Sequence, residues 1–195
     1  IEAAVDEAHR AGKPVAAHAH GGAGARWCIE AGVDTIEHGA LLSREDCELM
    51  VKRGTWLVMT NAIACHPTGI EQGDRGNPQI VAKLQEVRGK VAETFRIARE
   101  VGVKLTFGTD AMHGLLPFEL ELCVRFGGSP LEAIVAGTQR AAEACRLDDR
   151  VGTLEAGKLA DVISVRGDPP RDIRDLTKVG VILKGGVRYD GLSAL

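Results

Sequence analysis

The sequence predicts an α/β fold with a parallel sheet and a β-rich tail, on three observations. Short β-type runs alternate with helical patterns over residues 14–145. Strand and helix alternating through short links make a parallel sheet with right-handed crossovers. Three of the runs end in side chains able to bind a metal: Val15-Ala16-Ala17-His18-Ala19-His20, Thr35-Ile36-Glu37-His38-Gly39 and Phe107-Gly108-Thr109-Asp110. After about Gly152 the pattern changes to turns and short strand-like runs.

The elements follow in order. Residues 1–11 read as an amphipathic helix closed by Gly12. Since the chain opens inside that pattern and without methionine, it is expected to be a fragment with more chain upstream of Ile1. Residues 14–18 are strand-like, and 21–31 are helical up to Gly32. Residues 35–38 form a short strand. Ser43 is an N-cap with Asp46 three residues on, and the helix 44–53 stops at Gly54. Residues 55–60 (Thr-Trp-Leu-Val-Met-Thr) are a third strand, followed by a loop over 61–78 suited to covering a site. A long helix spans 79–101, and the fourth strand spans 103–108. Helices are expected at 116–125 and 130–145, the second capped by Ser129 with Glu132 at N3. In the tail, 159–165 is strand-like, while 179–183 and 186–189 form a hairpin. Four strands of this kind are half of a TIM-like (β/α)8 barrel, which places its chemistry at the C-terminal strand ends.

Composition narrows the function classes. The 195 residues are 45% hydrophobic and 26% charged, an ordinary globular mixture. A formal net charge of −3 gives no reason to expect nucleic acid or an anionic membrane as partner. No apolar run approaches the roughly 20 residues that cross a bilayer. Cys28, Cys47, Cys65, Cys123 and Cys145 form no C-x-x-C pair, so free thiols in a reducing compartment are expected. That favours the cytoplasm, although a targeting segment upstream of Ile1 would not be visible.

His18, His38 and Asp110 are the candidate metal ligands. Neutral imidazole and carboxylate suit Zn2+, and Mn2+ or Fe2+ with less selectivity. A catalytic zinc keeps three protein ligands and brings a bound water's pKa to about 7. A carboxylate beside that water can carry its proton to a leaving nitrogen, and of the three only Asp110 suits the task. His18 and His20 lie two apart on one strand, so their side chains share a face and both can reach a metal.

These segments resemble the amidohydrolase superfamily, in its imidazolonepropionase-like and Xaa-Pro dipeptidase (prolidase)-like branch. Further matches are Thr138-Gln139-Arg140-Ala141-Ala142 and the run Val151-Gly152-Thr153-Leu154-Glu155-Ala156-Gly157-Lys158-Leu159-Ala160-Asp161-Val162. The resemblance covers nearly the whole chain. It implies strands five to eight of the barrel in residues 1–152, and part of the small β-sandwich in 153–195. It makes His18 similar to the strand-five ligand, His38 to the strand-six ligand, and Asp110 to the strand-eight aspartate that contacts metal and acts as general acid and base. His20 and His113 take positions that face substrate. The first-strand H-x-H pair and the strand-four lysine would lie upstream of Ile1, so one or two ions remain open.

The expected activity is metal-dependent hydrolysis of amide or peptide C–N bonds, on a dipeptide or N-acyl amino acid. A cyclic-amide hydrolase of the imidazolonepropionase type is the alternative. A reading of another class is a non-catalytic fragment or binding scaffold. Half a barrel has open sheet edges, which invite association, including a homo-oligomer.

Overall fold

The structure, a computed structural model, describes residues 1–70, 77–110 and 114–189. Helix α1 (Glu2–Arg10) leads into β1 (Ala16–Gly21), α2 (Gly22–Ala31), β2 (Thr35–Leu41), α3 (Arg44–Arg53) and β3 (Trp56–Met59). Then come α4 (Asn61–Cys65), α5 (Pro78–Val101), β4 (Lys104–Phe107), α6 (Leu116–Arg125), α7 (Pro130–Gly137) and α8 (Gln139–Ala144). The four strands form one sheet in the order β1-β2-β3-β4, and every neighbouring pair is parallel. Consecutive strands are thus spatial neighbours, and all C-terminal ends lie along one edge.

Local chemistry sets many of the element ends. Ser43 Oγ accepts from the Asp46 N–H at 3.2 Å while Asp46 returns a bond to the Ser43 N–H, a complete capping box. Ser129 and Glu132 form a second one at the start of α7. Each such cap is worth about 1 kcal/mol. Helix α3 ends at Gly54, whose φ of 76° lies in the left-handed region that a side chain would disfavour.

The core sits between the sheet and its helices. Ile36, Leu57 and Leu105 lie side by side in register on three strands and are all buried. Ile29 from α2, Met50 from α3 and Phe95 from α5 belong to the same buried cluster. Each buried side chain of this size contributes roughly 1.5–3 kcal/mol relative to exposure. A second cluster, Ala40, Ala64, Leu84, Val87 and Val91, packs the inner face of α5 near the strand ends.

The tail forms a separate antiparallel sheet of β5 (Val162–Val165), β6 (Val179–Lys184) and β7 (Val187–Tyr189). Gly185 and Gly186 turn the hairpin with φ of 58° and 82°, a conformation open to glycine and costly for other residues. The 3-10 turn Ile173–Thr177 precedes β6 and buries Ile173 in the main core.

Several expected boundaries shift. β1 extends through Gly21, so His18 and His20 both lie within the strand rather than at and past its end. Residues 61–65 are helical instead of loop. The helix expected over 130–145 breaks at Thr138, whose φ of −126° and ψ of −86° interrupt the helical path. The Thr138 hydroxyl donates to the Ile134 carbonyl at 2.7 Å, a back-bond that competes with continuation of the helix. All five cysteines are free thiols. Among the described residues, no helix is long and apolar enough to cross a membrane.

Candidate metal centre

His18 and His38 start from positions that a regular sheet would keep apart. His18 pairs with Glu37, and His38 pairs with Ala19. Side chains alternate along a strand, so His18 and His38 would face opposite sides. A bulge prevents this. Between the pairs Ala19–His38 and Gly21–Leu41, one residue of β1 stands opposite two of β2. His38 has φ 75° and Gly39 has φ 59°, so the backbone turns the imidazole back toward β1.

The result is a cluster of three imidazoles carried within β1 and β2. The His18 and His38 ring centroids are 4.3 Å apart, those of His20 and His38 are 5.1 Å apart, and those of His18 and His20 are 5.2 Å apart. Asp110 lines the same cavity of 230 Å³. The opposite wall is apolar, made of Ile63, Ile80, Leu84, Val87 and Val91, with Lys83 beside them.

Backbone strain concentrates here too. Among the described residues, the non-glycine positions with positive φ are His38, Asp110 at 46° and Arg146 at 56°. Two of the three are expected metal ligands. Left-handed conformations cost a non-glycine residue on the order of 1 kcal/mol or more, and they persist where the surroundings over-determine them, often at functional sites.

The electrostatics favour the neutral form of His20 and His38. Burial lowers the pKa of His20, helped by His18 and Lys83. Burial also lowers that of His38, with His18 and His20 adding to the effect and the Asp110 charge opposing it. Neutral imidazole is the form that binds a metal. His38 Nδ1 lies 2.6 Å from Thr60 Oγ1, which leaves Nε2 available. His20 Nδ1 is buried and has no hydrogen-bond partner among the described residues. The unpartnered His20 nitrogen marks a cavity prepared for a ligand, and neutral imidazoles beside a carboxylate residue are donors that fit a divalent cation. The convergence is incomplete: among the described residues, no three His, Cys, Asp or Glu side chains are already arranged to hold an ion.

Of the residues singled out in the sequence, His18, His20, His38 and Asp110 come together in one cavity. His113 lies outside the described residues. Sequence reasoning missed Thr60, which reads there only as the last residue of a strand. Its contact depends on β2 and β3 being neighbours, and the sheet order reveals that, not the local pattern.

A sequence model described as the amidohydrolase family matches residues 1–188. Ochratoxinase from Aspergillus niger is 32% identical over 98% of this chain, which spans 41% of that enzyme. A crystal structure of a Xaa-Pro dipeptidase with methionine bound in its active site superposes with a TM-score of 0.88. It is 38% identical over 97% of this chain and 48% of its own. A prolidase complexed with N-methylphosphonate-L-proline superposes with a TM-score of 0.87 at 30% identity, over 96% of this chain and 48% of its own. The chain therefore spans about half the length of the relatives it matches.

Proposed function

This chain belongs to the amidohydrolase family, and from that premise we propose that it carries part of the active site of a metal-dependent hydrolase acting on amide or peptide C–N bonds. Residues 1–152 are read as strands five to eight of a (β/α)8 barrel, and 153–195 as part of its small β-sandwich domain. The observation that carries the proposal is the gathering of His18, His20 and His38 with Asp110 in one cavity at the C-terminal strand ends.

In this reading His18 and His38 hold the ion, with Asp110 at its side. A divalent metal such as zinc, when bound, supplies a Lewis acid that polarises the scissile carbonyl and acidifies water. The Asp110 carboxylate takes a proton from the attacking water and passes it to the leaving nitrogen. His20 faces the substrate. The apolar wall on α4 and α5 excludes water and receives an aliphatic or aromatic portion of the substrate, which supports a dipeptide or N-acyl amino acid. The similarity to structures holding methionine and a proline derivative supports the same substrate class.

The test is hydrolysis by the whole protein that carries this sequence. Xaa-Pro dipeptides, N-acyl amino acids and cyclic amides are compared with added zinc and after chelation. Turnover of the first two classes that chelation abolishes is expected. Asp110→Asn should lower kcat by about 10²–10⁴. Undiminished turnover in Asp110→Asn would refute the assigned role.

A further inference from the structure

Glu119 is a carboxyl in the first turn of α6, and its side chain is 0% exposed. It reaches away from its own helix to the start of α4. Oε1 accepts from the Asn61 N–H at 2.9 Å and from Asn61 Nδ2 at 2.8 Å, and Oε2 accepts from the Ala62 N–H. The two backbone donors belong to the first turn of α4, where no helical carbonyl can serve them. Burial pushes the carboxyl up to about 8, although all three donors favour its charged form.

A buried ionisable group is an expensive way to fill space that an apolar side chain could occupy. Its position indicates its use. The residue before Asn61 is Thr60, whose hydroxyl meets His38 Nδ1 at 2.6 Å. Thr60 has φ −136° and ψ 62°, outside both helix and regular strand, so its conformation depends on what holds the junction. Glu119 itself stands on the helix that follows the segment bearing Asp110. One carboxyl thus ties α6, the helix after β4, to the junction that carries Thr60.

We infer that Glu119 is a positioning residue: by clamping the N–H groups of Asn61 and Ala62 it fixes Thr60, and through Thr60 it fixes the ring orientation and tautomer of His38. The inference rests on the proposed metal centre for its purpose, and on the hydrogen-bond geometry alone for its mechanism. A ligand imidazole needs one nitrogen held by an outer partner so that the other is free and aimed, and removing such partners typically costs 10–100-fold in metal affinity.

The experiment uses the whole protein that carries this sequence, labelled with 15N-histidine, metal-free, at a fixed neutral pH. Long-range 1H–15N spectra of His38 are recorded for wild type, E119Q, E119M, T60V and E119M/T60V, each followed by Zn2+ titration. Wild type should show one His38 tautomer, protonated at Nδ1. E119M removes both acceptor oxygens, and with them all three hydrogen bonds, at similar volume; it should give mixed tautomers, as T60V does, with about a tenfold loss of Zn2+ affinity. E119Q keeps one acceptor oxygen and so two of the three bonds at most, and should fall between. In E119M/T60V the two effects should not add, since both act through one contact; a general loosening of the fold would add. A folded E119M with a wild-type tautomer and Zn2+ affinity within about twofold of wild type overturns the inference. If E119M does not fold, E119Q decides alone: mixed tautomers support the clamp, and a wild-type signature overturns it. A wild-type chain with the Nδ1-protonated tautomer that loses it in E119M, yet binds no Zn2+, supports the clamp and contradicts the metal centre.

Discussion

His38 Nδ1 and Thr60 Oγ1 lie 2.6 Å apart, joining the middle of β2 to the residue just past β3. The contact holds a ring that the β2 bulge has already turned toward His18. Backbone and side chain therefore act in sequence: the bulge chooses the face, and the hydroxyl sets the rotation of the ring on that face. An imidazole free to spin would present either nitrogen to the cavity, and the Thr60 contact removes that freedom.

The strained backbone at His38 makes a stability prediction. Its φ of 75° suits glycine and disfavours alanine. In the metal-free chain His38→Gly should exceed His38→Ala in unfolding free energy by about 1 kcal/mol, since both lose the same ring. Urea denaturation of the two variants measures the difference. An alanine variant as stable as the glycine one would mean that the bulge relaxes once the ring is gone.

Gly21 lets β1 and β2 close at the site. A Cβ at this position would stand 2.3 Å from the Leu41 carbonyl oxygen, and backbone cannot swing aside as a side chain can. Gly21→Ala should destabilise the chain by about 1–3 kcal/mol. It should also enlarge the separation between the His20 and His38 rings. A wild-type denaturation midpoint would contradict the close strand contact.

Glu119 predicts a pH dependence with a definite sign. Its folded pKa is raised to about 8, whereas an unfolded glutamate titrates near about 4.3. Between those values the folded state holds the extra proton, so stability falls as pH rises. Relative to E119Q, which cannot titrate there, wild-type stability should be greatest below about pH 4, decline through neutrality, and level off above about pH 8. Denaturation of both proteins from pH 4 to 9 tests this, and a difference independent of pH would show that the carboxyl stays charged.

Features written in adjacent residues were legible before the fold was known. Ser43 with Asp46 and Ser129 with Glu132 announce their caps within four positions. The strand-end histidines and Asp110 were legible as a group because parallel strands bring their C-terminal ends to one edge. The bulge at His38 was not, because it arises from how Gly21 pairs with Leu41 rather than from any local pattern. Helix α4 reads as loop in the sequence for a related reason. Its first N–H groups are satisfied by Glu119, 58 residues beyond Asn61. Glu119 itself looks like the polar face of a helix until α4 covers it.

The most direct measurement is zinc-edge anomalous diffraction from zinc-loaded crystals of the whole protein that carries this sequence. A peak about 2.0–2.1 Å from ring nitrogens of both His18 and His38, with Asp110 beside it, is the predicted result. A peak at other residues only, or none at zinc concentrations that saturate the protein's activity, would contradict the metal centre.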